Sequence, residues 1–127
     1  MTIFEKIGKG EGKAFVIWEN EKHIAFLDIN PLTQGHTLVV PKENLGDYIF
    51  ELNDQEYMEL LISAKTVSKL LKAKMNPDRV LMWVEGFEVP HVHVHLIPAD
   101  KDFNILEAEI LQVKSEELAK TQSRILV

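Results

Sequence analysis

Three of the five histidines of the chain fall in Val89-Pro90-His91-Val92-His93-Val94-His95-Leu96-Ile97-Pro98, each separated from the next by one valine. A strand sends successive side chains to opposite faces, so His91, His93 and His95 share one face and Val92, Val94 and Leu96 the other. At the rise of a strand, neighbouring imidazoles stand roughly 6.6 Å apart. Pro90 and Pro98 bracket the run, where a missing N–H costs a sheet least. The imidazole face admits three readings. It is a solvated polar face, a metal site, or a site of nucleophilic catalysis. A His-x-His pair on a strand suits zinc, but the outer two rings would lie roughly 13 Å apart, beyond the reach of one ion. There is no cysteine, and no His-x-x-x-His or His–Glu pairing completes a ligand set. In the catalytic reading one histidine attacks while its neighbours fix its tautomer and receive charge.

A second group of candidates lies upstream. The run from His23 to Ile29 reads as a strand with Ile24, Phe26 and Asp28 on one face. An aromatic ring beside a carboxylate suits a nucleoside, the ring against the base and the carboxylate on the ribose hydroxyls. Asp28 is equally placed to cap the turn before Asn30-Pro31. His36 opens the next strand beside Gly35 and reads locally as a hydrogen-bonded structural histidine. His23 reads as a surface or strand-edge residue. Ile3, Phe4 and Ile7 have helical spacing and form a small apolar cluster.

The pattern His-φ-His-φ-His-φ-φ, His91 to Ile97, resembles the signature of the histidine-triad (HIT) family of nucleotide hydrolases and transferases. The resemblance extends through Ile3-Phe4-x-Lys6-Ile7, Phe26-Leu27-Asp28-Ile29-Asn30-Pro31 and Gly35-His36-Thr37-Leu38-Val39-Val40-Pro41-Lys42, and covers about residues 2–98. It implies a HIT-like α+β fold and a homodimer. It also implies a nucleotidyl-histidine intermediate on His93, with His91 and His95 around the phosphate and His36 supporting the network. Ile3, Phe4, Ile7, Phe26, Asp28 and Ile29 would then hold the nucleoside of a purine nucleotide, an AMP or GMP derivative. The reaction would cleave a phosphoanhydride or phosphoramidate at the α-phosphate. No metal or other cofactor is expected, except Mg²⁺ arriving with a polyphosphate substrate. The alternative is a nucleotide-binding sensor or interaction protein with weak catalysis. The chain departs from the family pattern before the triad, where the turn is short, an asparagine is missing and Phe87 stands where glutamine is common. Ala99 replaces an arginine often found after the last proline. Phenylalanine cannot donate the hydrogen bond of an amide, so slow turnover is expected. The opposing expectation is that Phe87 packs into the core.

These residues must be positioned by ordinary elements. Residues 3–8 read as a helical turn, Gly8–Gly12 as a flexible linker, and 14–19, 23–29, 36–41 and 79–84 as strands. Asn53 with Glu56 three residues later has the spacing of a capping box. Tyr57, Leu60, Leu61, Ala64, Val67 and Leu71 then mark an amphipathic helix of about five turns, ended by Asn76-Pro77. A final helix is expected near 116–125. The order predicts an α+β fold with an antiparallel sheet of about five strands, a long helix packed across it and a short C-terminal helix. One domain over 1–127 is expected, with 99–127 as a C-terminal extension.

At 127 residues and 46% hydrophobic, the chain can bury a core of its own. A net charge of −6 argues against a surface that tracks a nucleic acid polymer, though a small nucleotide needs only a local cluster of donors. No apolar run approaches the roughly 20 residues of a membrane span. The absence of cysteine suits the cytoplasm.

Overall fold

The computed structural model describes residues 1–127. Its elements are α1 (Ile3–Gly8), β1 (Val16–Glu19), β2 (His23–Leu27), β3 (Thr37–Pro41), a 3₁₀ turn (Ile49–Glu51), α2 (Asp54–Met75), β4 (Arg79–Trp83), β5 (Val94–Ala99) and α3 (Ser115–Leu126). The five strands form one sheet in the order β1-β2-β3-β5-β4, with every pair antiparallel. The fold is α+β, as expected.

The alternation of each strand sorts the core into two layers. Ala25, Leu27, Val39, Val94 and Leu96 face α2, which answers with Leu60, Ala64, Val67 and Leu71. Each such leucine contributes about 1.5–3 kcal/mol by leaving water. Ile24, Phe26, Leu38 and Val40 face the other way and are covered by Phe4 and Ile7 of α1. The capping box of α2 forms, with Asn53 and Glu56 each accepting from the other's backbone N–H. The helix runs 22 residues and stops at Asn76, whose φ of 53° is left-handed. α3 joins the main core through Leu118 and Ile125.

Four local expectations change. The histidine run enters the ladder late: β5 begins at Val94, and its register with β3 covers Thr37↔Leu96, Leu38↔His95 and Val39↔Val94. Pro98 lies inside β5, opposite Val80 of β4. It is tolerated because β3 has already ended on its other side, where no acceptor awaits the missing N–H. The glycine-rich stretch folds back on α1, with the Glu11 and Gly12 amides donating to the Lys6 carbonyl. His23 is buried, contrary to its reading as a surface residue, because β2 is an inner strand and α2 lies across it.

Candidate active site

Ile3, Phe4, Ile7, Phe26 and Ile29 line one side of a cleft of about 210 Å³, and Asp28, His93 and His95 line its polar end. Eight of the ten residues singled out from the sequence therefore meet in one place. His36 and His91 do not reach the cleft and stand behind its wall. Lys13 and Glu88, which no pattern in the sequence marked, also line it, as do Asn30 and Val89.

Hydrogen bonds assign each imidazole proton. A carbonyl oxygen only accepts, so the 2.7 Å contact from His93 Nδ1 to the His91 carbonyl places the His93 proton on Nδ1. His93 Nε2 keeps its lone pair. The Leu32 N–H donates to His36 Nδ1 at 2.9 Å, so His36 carries its proton on Nε2. That proton is donated to His95 Nδ1 at 3.0 Å, which leaves the His95 proton on Nε2. No buried side-chain nitrogen or oxygen lacks a partner. The unpartnered Nε2 atoms of His93 and His95 are therefore the accessible ones. The cleft thus holds a bare nucleophilic nitrogen beside an N–H donor, with ring centroids 5.0 Å apart.

Burial sets the charge states. It pushes His36 down to about 4. His95 also falls to about 4, by burial first and then by the neighbouring His93 and His36. Both are neutral near pH 7. Burial raises the Asp28 carboxyl, against the hydrogen bond from the Asn30 N–H. Asp28 takes the turn-capping role weighed from the sequence, and its second oxygen faces the histidines. Its Oδ1 accepts from Asn30 at 2.8 Å, while Oδ2 lies 3.6 Å from His36 Nε2 and 3.9 Å from His95 Nδ1.

Ligand atoms of Asp28, His36 and His95 lie within 4.8 Å of one another, a spacing that a small cation spans. The proton inventory opposes that use. With Nδ1 of His36 occupied by the Leu32 N–H, the atom facing the cluster carries hydrogen, whereas a metal needs a lone pair.

His91 is corrected in role. Its ring is fully buried, with Nε2 donating to the Pro41 carbonyl at 2.7 Å and Nδ1 in contact with the Thr2 hydroxyl at 3.1 Å. Neither nitrogen is free to meet a phosphate. The expectation that Phe87 packs into the core also fails, since it is 88% exposed. Its turn is fixed by Gly86, at φ 78°, where a Cβ would lie 2.3 Å from the Asp47 carbonyl oxygen. Thr2 was missed in the sequence, although Thr2-x-x-Glu5 has the capping-box spacing and forms that box.

A family model described as HIT domain matches residues 9–102. An uncharacterized HIT-like protein of Methanocaldococcus jannaschii is 39% identical over 127 residues, covering 94% of this chain and 97% of that protein. An adenosine 5′-monophosphoramidase of Candida albicans is 34% identical over 110 residues, 76% of this chain and 68% of that protein. Among solved structures, a hypothetical histidine triad nucleotide-binding protein of Sulfolobus tokodaii superposes with a TM-score of 0.82 at 28% identity. That match covers 97% of this chain and 88% of the other.

Proposed function

The chain belongs to the HIT family, and from that premise we propose that it is a nucleotidyl hydrolase or transferase acting at the α-phosphate of a purine nucleoside 5′-phosphate derivative. The observation that carries this is the His93 tautomer, with Nδ1–H held by the His91 carbonyl and Nε2 bare at the polar end of the cleft. His93 Nε2 attacks the α-phosphorus and forms a P–N bond. The amine, phosphate or nucleotide leaves with the electron pair of the broken bond and takes a proton from solvent. The cation formed on His93 is stabilised through Nδ1–H by the His91 carbonyl. The Nε2–H of His95, held in place by His36, donates to a phosphate oxygen as charge develops there. Water then attacks phosphorus as the P–N bond breaks; its electron pair returns to His93 Nε2, the water proton passes to solvent, and the nucleoside monophosphate leaves. Phe26 and Phe4 flank the base and Asp28 holds the ribose hydroxyls. The named activity of the Candida relative supports a nucleotide substrate.

No step requires a metal, and Mg²⁺ enters only with a polyphosphate. A homodimer is supported by β4, an edge strand with Met82 and Trp83 exposed, and by the exposed Met58 and Ile62 of α2. No helix is long and apolar enough to cross a membrane. A chain without cysteine suits a reducing compartment, and we place it in the cytoplasm.

Single-turnover reaction with adenosine 5′-phosphoramidate, followed by denaturation, should trap an acid-labile nucleotidyl group on the wild-type protein. His93→Ala should trap none and lose roughly 10⁴–10⁶ of turnover, the scale for a primary nucleophile. Turnover above about a tenth of wild type, far from losses on that scale, rules out His93 as the nucleophile. A second reading, a nucleotide sensor with weak catalysis, is favoured by the exposure of Phe87, which presents no amide to the cleft. It requires AMP binding by the wild-type protein with no trapped intermediate.

A further inference from the structure

The hydroxyl of Thr2 makes two contacts that join distant parts of the chain. It accepts from the Glu5 N–H at 3.1 Å, capping α1, and lies 3.1 Å from Nδ1 of His91, 89 positions away. The direction of the second contact is forced. His91 Nε2 donates to the Pro41 carbonyl, so the neutral ring has a bare Nδ1 and the hydroxyl proton must point to it. The ring is fully buried, which leaves Thr2 as its partner on that side. The backbone carbonyl of the same residue receives the His93 Nδ1–H.

The surroundings tighten the link. Glu5 Oε1 accepts from the Thr2 N–H at 3.0 Å and from Asn44 Nδ2 at 3.3 Å. That ties α1 to the segment just beyond Pro41, whose carbonyl holds the other side of His91. Phe4 sets its ring edge-on to both His91 and His93, with centroids 5.7 and 5.0 Å away. Phe4 also lines the cleft together with its helix neighbours Ile3 and Ile7. One small helix therefore walls the nucleoside cleft and abuts two histidines of the run.

We propose that Thr2 is a positioning residue of the triad: by donating to His91 Nδ1 it fixes the residue whose carbonyl sets the tautomer of His93, and by capping α1 it couples that tautomer to the wall of the nucleoside cleft. The catalytic consequence rests on the reading of His93 as nucleophile, whereas the proton arrangement does not.

The test uses the full chain labelled with ¹⁵N in its histidine rings, alongside steady-state kinetics with adenosine 5′-phosphoramidate. In the wild type, His91 should show a bare Nδ1 and His93 a bare Nε2. Thr2→Ser keeps the hydroxyl and should preserve the ring signals, kcat and KM. Thr2→Val removes it and should shift the His91 Nδ1 signal and lower kcat roughly two- to tenfold, the worth of one neutral hydrogen bond. Thr2→Asp separates the two functions of the hydroxyl. Aspartate caps helices well but cannot donate, so KM should hold while kcat falls and His91 Nδ1 gains a proton at neutral pH. Glu5 and His93 are the other titratable groups acting on that ring, and neither is altered. Ring signals and kcat restored by Thr2→Asp would reduce Thr2 to a helix cap and overturn the proposal. Unchanged His91 signals in Thr2→Val and Thr2→Asp would do the same. Should Thr2→Val fail to fold, the serine and aspartate variants decide. Should the wild type prove inactive, the functional reading falls while the ring signals still decide the Thr2–His91 link.

Discussion

His91 and His95 stand at the two ends of one alternating run, yet the protein surrounds their rings in opposite ways. His91 has no exposed surface and spends both nitrogens on the protein, one on Pro41 and one on Thr2. His95 retains 17% of its side-chain exposure, is held at Nδ1 by His36, and has Nε2 free for the cleft. Both are neutral histidines on the same face. One is held at both nitrogens by the protein, and the other presents a ring nitrogen to the cleft. What separates them is the element packed on each: α1 closes over His91, whereas only the cleft adjoins the outer edge of His95. Equal spacing in the chain thus does not mean equal chemistry.

The sharpest way to break this comparison is to remove each ring. His95→Ala should lower kcat roughly 10²–10³-fold, as loss of a donor to developing charge does, with a smaller fall in thermal midpoint than His91→Ala. His91→Ala empties a buried site and strands the Pro41 carbonyl and the Thr2 hydroxyl, at a cost of about 2–5 kcal/mol in stability. Paired kinetics and thermal denaturation decide the matter. If His91→Ala keeps the wild-type midpoint, or His95→Ala is the less stable of the two, the division fails.

The pH dependence of stability sharpens the comparison with a smaller effect. His36 and His95 titrate near 6.5 when unfolded but at about 4 when folded, and His91 is shifted the same way. Between those values the unfolded chain binds protons that the folded chain refuses. Stability is therefore full above about 6.5 and declines as pH falls toward about 4, on the order of 3 kcal/mol from His36 alone. Asp28, raised by burial, works in the opposite direction above its unfolded value of 3.8 and up to its folded one. Urea midpoints measured across this range should decline toward acid, and His36→Asn should flatten the decline. An equally steep decline in that variant would mean that His36 is not held neutral by the fold.

The smallest effect concerns the turn before the triad. Phe87 is exposed, so Phe87→Gln should leave the thermal midpoint unchanged and raise turnover about tenfold, the lower end of what a hydrogen bond to a charged group is worth. A lowered midpoint would contradict the exposed placement. An unchanged turnover would show that the turn does not limit the chemistry.

Much of the frame was legible because short-range physics writes it into the chain. Alternation placed the valines at 92 and 94 in the core and the histidines on the opposite face. Capping spacing located the start of α2 at Asn53, and Asn76-Pro77 located its end. The cluster of Ile3, Phe4, Phe26 and Asp28 was also recoverable, through motif order rather than through any local rule. Other features escaped because they depend on what lies across the sheet. His23 is buried only because β2 became an inner strand, and Pro98 fits inside β5 only because β3 ends first.

The sequence by itself determined which face of a strand the histidines share, since that follows from a period of two. It pointed to His93 as the attacking histidine only through the family resemblance, and it did not show where each imidazole keeps its proton. That is settled by partners far along the chain: the Leu32 amide and His36 for His95, the Pro41 carbonyl and Thr2 hydroxyl for His91, and through His91 the bare Nε2 of His93. A ring nitrogen in water exchanges its proton freely. Only a buried one, given a fixed donor or acceptor, holds a single tautomer, and burial of that kind exists only once the tertiary fold has closed.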